Sequence, residues 1–130
     1  MTIKAYSKAK DGNKKLSTNF RVKEFACSDG SDPIFVDSEL VTILQKIRTH
    51  FGKAVTITSA YRTPTHNKNV GGTTYSQHLY GRAADISIRG VSPSKVSAYA
   101  EELLSDKGGI GIYNTFTHID VRDSKSRWIG

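Results

Sequence analysis

The stretch from Asp37 to Gly52 constrains this chain most. Leu40, Ile43, Leu44, Ile47 and Phe51 recur there on one face at the 3.6-residue helical period. Asp37 places a side-chain acceptor over the first free amides, and Gly52 closes the helix. A helix with one apolar stripe must bury it against another layer. The next segment supplies one: Val55 to Arg62 is rich in β-branched residues and bounded by Gly52 and Pro64, which predicts a strand. Ala83 to Arg89 reads as a second strand. Ser92-Pro93 then opens a second helix, with Val96, Tyr99, Ala100, Leu103 and Leu104 as its apolar face and Gly108-Gly109 at its end. Ile110–Tyr113 and Phe116–Arg122 read as an antiparallel hairpin turning at Asn114-Thr115. Two main helices against a mainly antiparallel sheet make a single α+β domain, the size expected of 130 residues.

The connecting segments are polar. Ser28 to Pro33 is a loop, and Thr63 to Tyr75, which holds Gly71-Gly72, is a loop with room for a helical turn. No apolar run is long enough to span a membrane, and the first residues lack the apolar core of a secretory signal. The single cysteine, Cys27, excludes an internal disulfide framework and a cysteine-rich zinc knuckle, and reads as a small buried hydrophobe.

The formal charge of +7 invites a nucleic-acid or anionic-surface reading. Most of the excess lies in residues 1–25, where seven cations meet only Asp11 and Glu24. Residues 1–15 are therefore read as a basic arm, or a small hairpin turning at Asp11-Gly12, ahead of a domain over 16–130. No groove-reading helix or aromatic-basic ribonucleoprotein motif accompanies the charge, so nucleic acid is not the expected partner.

The residues that carry chemistry lie on or beside the predicted strands. Ser76 to Asp85 brings His78 in from a loop and places Asp85 on the next strand. His118 and Asp120 share one face of the last strand, roughly 6–7 Å apart along the chain. If both strands belong to one sheet, His78, Asp85 and His118 converge. Two imidazoles and a carboxylate with an open fourth position form the ligand set of a catalytic zinc site. The plainer reading is that each is an ordinary satisfied polar residue, since an isolated His-x-Asp specifies no metal. His50, at a helix end, and His66, in a polar loop without acidic neighbours, are assigned no ligand role.

Ser59-Ala60-Tyr61-Arg62-Thr63, the segment from Ser76 to Asp85, and His118-Ile119-Asp120, in this order, resemble the zinc D-Ala-D-Ala carboxypeptidase family. These are bacterial and phage peptidases of peptidoglycan stem peptides, with a zinc fold shared with the hedgehog signalling domain. The resemblance runs from about Leu16 to Trp128. It implies that fold, Zn2+ held by His78, Asp85 and His118, and a peptidoglycan peptide as substrate. It also implies that Arg62 holds a substrate carbonyl or the developing oxyanion; a structural ion pair is the alternative. Ser76 and Gln77 either bond substrate backbone or support the neighbouring ligand.

One position departs from the pattern. Many relatives carry a carboxylate three residues before the last histidine, as general base, where this chain has Thr115. Asp120 is the nearest substitute, either as that base or as the acceptor that orients a histidine ligand. The expectation is a zinc peptidase of the cell wall, lysin-like and of phage or prophage type. It would be made in the cytoplasm without a signal and act at the wall after holin release or within a virion, most simply as a monomer. A zinc-binding module of the same fold without hydrolysis is the alternative.

Overall fold

The computed structural model describes residues 2–130. The chain forms two two-stranded sheets and one five-stranded sheet. β1 (Ile3–Ser7) is followed by a single turn, α1 (Lys8–Asp11), then by β2 (Lys15–Ser17) and β3 (Phe20–Arg21), which pair with each other. A 3-10 turn over Val22–Phe25 leads to β4 (Pro33–Asp37), which pairs antiparallel with β1. The lysine-rich start is thus neither a solvated arm nor a hairpin closed at Asp11-Gly12. Its first strand is hydrogen-bonded to β4, and Ser7 and Ala9 are pinned to the Asp32 carboxylate. The five residues of β1, Ile-Lys-Ala-Tyr-Ser, show no period-two alternation that would announce this pairing.

α2 (Ser38–Phe51) follows as expected. The Asp37 carboxylate accepts from Glu39 N at 2.9 Å, and Gly52 takes a left-handed conformation at the C-cap. Leu40, Val41, Ile43, Leu44 and Ile47 are buried, and each fully buried side chain of this kind contributes about 1.5–3 kcal/mol. β5 (Val55–Ser59) stops earlier than the sequence suggests, because the chain turns away at Ala60 to bond Phe25 O and His78 O through Tyr61 N and Arg62 N. Within the expected loop, Thr63 caps a short helix, α3 (Pro64–Asn69), with Pro64 in its first turn. β6 (Ala83–Ile88) and α4 (Pro93–Leu104, capped by Ser92) agree closely with the sequence reading. β7 (Gly109–Ile112), β8 (Thr117–Asp120) and β9 (Ser126–Ile129) complete the chain.

The main sheet runs β5-β6-β8-β7-β9 and is antiparallel except for the β7–β9 pair. Its buried residues Ile86, Ile88, Ile110 and Ile119 join Leu44, Ile47, Val96, Ala100 and Leu104 from α2 and α4 in one core. Cys27 lies in the same core. The α+β class holds. No helix among the described residues is long and apolar enough to cross a membrane.

Candidate metal centre

The pairing register places the chemistry. Partners across a sheet point to the same face, and the pairs Ser59–Asp85, Asp85–His118, His118–Gly111 and Gly111–Trp128 form one row across all five strands. The neighbouring row joins Ala83, Asp120, Gly109 and Ser126. The two glycines of β7 make this possible. A Cβ on Gly109 would lie 2.2 Å from Asp120 Oδ2, and one on Gly111 would lie 2.5 Å from the Trp128 ring. Their missing side chains seat the Asp120 carboxylate and let the indole lean to within 5.0 Å of the His118 ring.

His78 arrives from outside the sheet, on a 3-10 turn over Gln77–Tyr80. Ser76 Oγ accepts from His78 N at 3.2 Å and so caps the turn. Gly81, at φ 71°, closes it against β4, where a Cβ would strike Phe35 O at 2.2 Å. His78 Nδ1 lies 2.6 Å from Ala60 O. A carbonyl only accepts, so this nitrogen carries the proton and Nε2 keeps its lone pair in the neutral ring. Nε2 is 3.3 Å from Asp85 Oδ2. His118 Nδ1 approaches Asp85 Oδ1 at 2.9 Å, and its Nε2 meets Asp120 Oδ2 at 2.8 Å.

His78, Asp85 and His118 therefore offer three donor atoms within 4.8 Å of one another, all three residues being buried. This set suits a zinc ion. Donors about 2.0–2.2 Å from a tetrahedral centre stand roughly 3.3–3.6 Å apart, and His78 Nε2 and Asp85 Oδ2 are 3.3 Å apart. Each imidazole also has its far nitrogen fixed by an oxygen, the outer support expected of metal-binding histidines.

The charges of the cluster are coupled to one another. Burial opposes charge on Asp85, but hydrogen bonds from His118 and His78 outweigh it and hold the carboxyl below its ordinary range. Burial likewise opposes charge on His118, yet Asp120 and Asp85 raise its pKa. Asp120 has no exposed surface and is also held low. Besides His118, its oxygens accept from Arg122 N, Nε and Nη2 at 3.1, 2.9 and 2.6 Å.

These three side chains open into a cavity of about 620 Å³ that Arg62, Ser76 and Gln77 also line. Arg62 is tethered by Ser59 Oγ at 3.2 Å and Asn67 Oδ1 at 3.3 Å, with Asp85 Oδ2 at 3.6 Å. Its ion pair is thus part of the site itself. The opposite wall is Tyr113, Phe116, Arg122 and Trp128. Trp128 Nε1 donates to Tyr113 Oη at 2.9 Å, and the Arg122 guanidinium lies 5.5 Å from the indole. Thr115 lines a different cavity, beneath α4 with Val96 and Ile86. His50 stacks on Tyr99, and His66 bonds Ser28 Oγ, both outside the cluster. Sequence reasoning missed Asn67, Arg122 and Trp128. The Gly-Ile-Gly-Ile alternation of β7 was the available sign that one sheet face there must stay open.

The fold and this cluster define a class of metallopeptidase-like domain. The chain belongs to the peptidase M15 family: a family model described as Peptidase M15 matches residues 17–120. The zinc D-Ala-D-Ala carboxypeptidase of Streptomyces albus G is similar to it, 46% identical over 50 residues. That segment spans 36% of this chain and 20% of the Streptomyces protein.

Gly111→Ala gives a direct check on the wall. The added methyl should displace Trp128 from His118, shift the emission of this single tryptophan to the red and cost about 1–3 kcal/mol of stability by overpacking. Unchanged emission and melting would show that the indole does not lie over Gly111.

Proposed function

We propose that the chain is a zinc-dependent peptidase of peptidoglycan stem peptides. The observation that carries this is the convergence of His78 Nε2, both Asp85 oxygens and His118 Nδ1 beside a cavity lined by Arg62. His78, Asp85 and His118 would hold the ion, which when bound polarises a peptide carbonyl and activates water near neutral pH. Arg62 would face the carbonyl oxygen, a fixed cation where negative charge develops. Ser76 caps the turn that presents His78, and Gln77 lines the cavity within reach of a substrate backbone. Asp120 is assigned the orienting role: it is buried, and both oxygens are already occupied by His118 and Arg122. A lysin-like role at the wall accords with this chemistry and belongs to the same proposal.

The test is metal analysis of the purified protein together with digestion of purified cell wall read by mass spectrometry. Stoichiometric zinc and release of defined peptides are expected; zinc-loaded protein that leaves wall and stem peptides intact would overturn the reading. The second reading, a zinc-binding module without hydrolysis, draws on one observation. Among the described residues, no carboxylate apart from Asp85 lines the cavity, and the Thr115 position faces elsewhere.

Zinc uptake should also be coupled to protons. The raised His118 pKa means that its ring holds both protons further into the neutral range, and a ligand nitrogen must be bare. Affinity is therefore expected to fall as pH drops through that raised value. Binding below it should release about one proton, measured by calorimetry in buffers of different ionisation enthalpy. No proton release and a flat pH profile from 5 to 8 would contradict this.

A further inference from the structure

We propose that Asn67 is a positioning residue that locks the Arg62 guanidinium to the rim of the cavity over residues 70–77, and so holds that cation in its substrate-facing orientation. The inference rests on the assignment of Arg62 to the substrate carbonyl given above.

Asn67 lies on α3 and is 4% exposed. A buried amide side chain is costly unless its donors and acceptor are used, and here each points to a different part of the site. Oδ1 accepts from Arg62 Nη1 at 3.3 Å, while Nδ2 donates to Thr73 O at 2.8 Å. The backbone of the same residue accepts from Gly72 N at 2.8 Å. The chain between them wraps this side chain tightly. A Cβ on Gly72 would lie 1.9 Å from Asn67 Oδ1 and 3.1 Å from Arg62 Nη1, so glycine alone passes there.

The other tethers of Arg62 come from within the main sheet, Ser59 at the end of β5 and Asp85 on β6. Asn67 is the tether that connects the cation to the 70–77 rim, whose Gly71, Gly72, Ser76 and Gln77 line the cavity. Without it, Nη1 loses its acceptor. The rim, which carries the 79%-exposed Tyr75, then loses its buried anchor. Misplacement of a catalytic group by about 1 Å is enough to cost on the order of 10²-fold in rate.

The test is a double-mutant cycle on the zinc-loaded full chain with a peptidoglycan stem peptide, using Arg62→Ala, Asn67→Ala and the double variant. Asn67→Ala is expected to lower kcat by about 10²-fold, with zinc stoichiometry unchanged. The double variant should be no slower than Arg62→Ala, since coupled residues are not additive. Additive losses would overturn the proposal. Asn67→Asp keeps an acceptor for Arg62 but replaces the donor to Thr73 O. It should lower kcat, though by less than Asn67→Ala, while amide exchange over 71–77 speeds up, and it carries the test if the alanine variant does not fold. Loss of kcat in Asn67→Asp equal to that in Arg62→Ala, with exchange unchanged, would refute it. If the wild-type chain cleaves no wall peptide, the peptidase reading fails and amide exchange alone decides. Protection lost over 71–77 in Asn67→Ala supports the role, and unchanged protection overturns it.

Discussion

His118→Ala is expected to abolish stoichiometric zinc binding and, with it, any peptidase activity. The residue is central in the sheet row that carries the site, between Asp85 on β6 and Gly111 on β7. Its removal deletes one of three donors and leaves Asp85 facing His78 and Arg62 alone. Losing an outer partner of a metal ligand typically costs roughly 10–100-fold in affinity, so losing the ligand itself should exceed that range. The fold should survive, because the β6–β8–β7 ladder is made by backbone groups and the ring is not part of the apolar core. Zinc content by elemental analysis, circular dichroism and wall digestion form the necessary set. A variant that keeps zinc at the wild-type ratio would remove His118 from the ligand set. A variant that loses zinc and still digests wall would separate the metal from the reaction.

The site was legible in the sequence to the extent that local patterns encode it. Period-two alternation put His118 and Asp120 on one strand face, and the strand read over Ala83–Arg89 carried Asp85. Pairing of those two strands brings Asp85 opposite His118. His78 needed tertiary information, since its direction is set by Ala60 O and by the Gly81 turn packed on β4. Trp128 was hidden for another reason. Its strand joins the sheet in parallel beside β7, a non-local pairing with no turn signal to announce it. Asn67 looked like an ordinary polar residue of a loop, because helix α3 is only six residues long and is defined by its cap more than by any apolar face. The helices were read most closely, as their caps and their buried stripes are both written locally in Asp37, Ser92 and the 3.6-residue period.

Asp120→Asn separates the two roles that sequence alone leaves open for this carboxylate. As a general base, Asp120 would be dispensable for metal, and the amide would abolish turnover at every zinc concentration. As the acceptor that orients His118, it holds a proton on Nε2 and thereby leaves Nδ1 bare for the ion. The asparagine amide can no longer accept through both oxygens from His118 and Arg122, so the ring is free to take the other tautomer and block its own ligand nitrogen. The expected result is a zinc affinity lower by roughly 10–100-fold, with turnover restored when zinc is raised to saturation. Stability should fall as well. Arg122 keeps partial access to water, at 29% side-chain exposure, but Asp120 lies at 0% among four charge-assisted contacts. Breaking a buried pair typically costs about 3–5 kcal/mol, and the exposed edge of Arg122 places this case near the low end. Calorimetric zinc titration at fixed pH, read beside kcat at saturating metal, distinguishes the outcomes. Unchanged affinity with turnover lost at all zinc levels would make Asp120 the base, and the orienting assignment would be withdrawn.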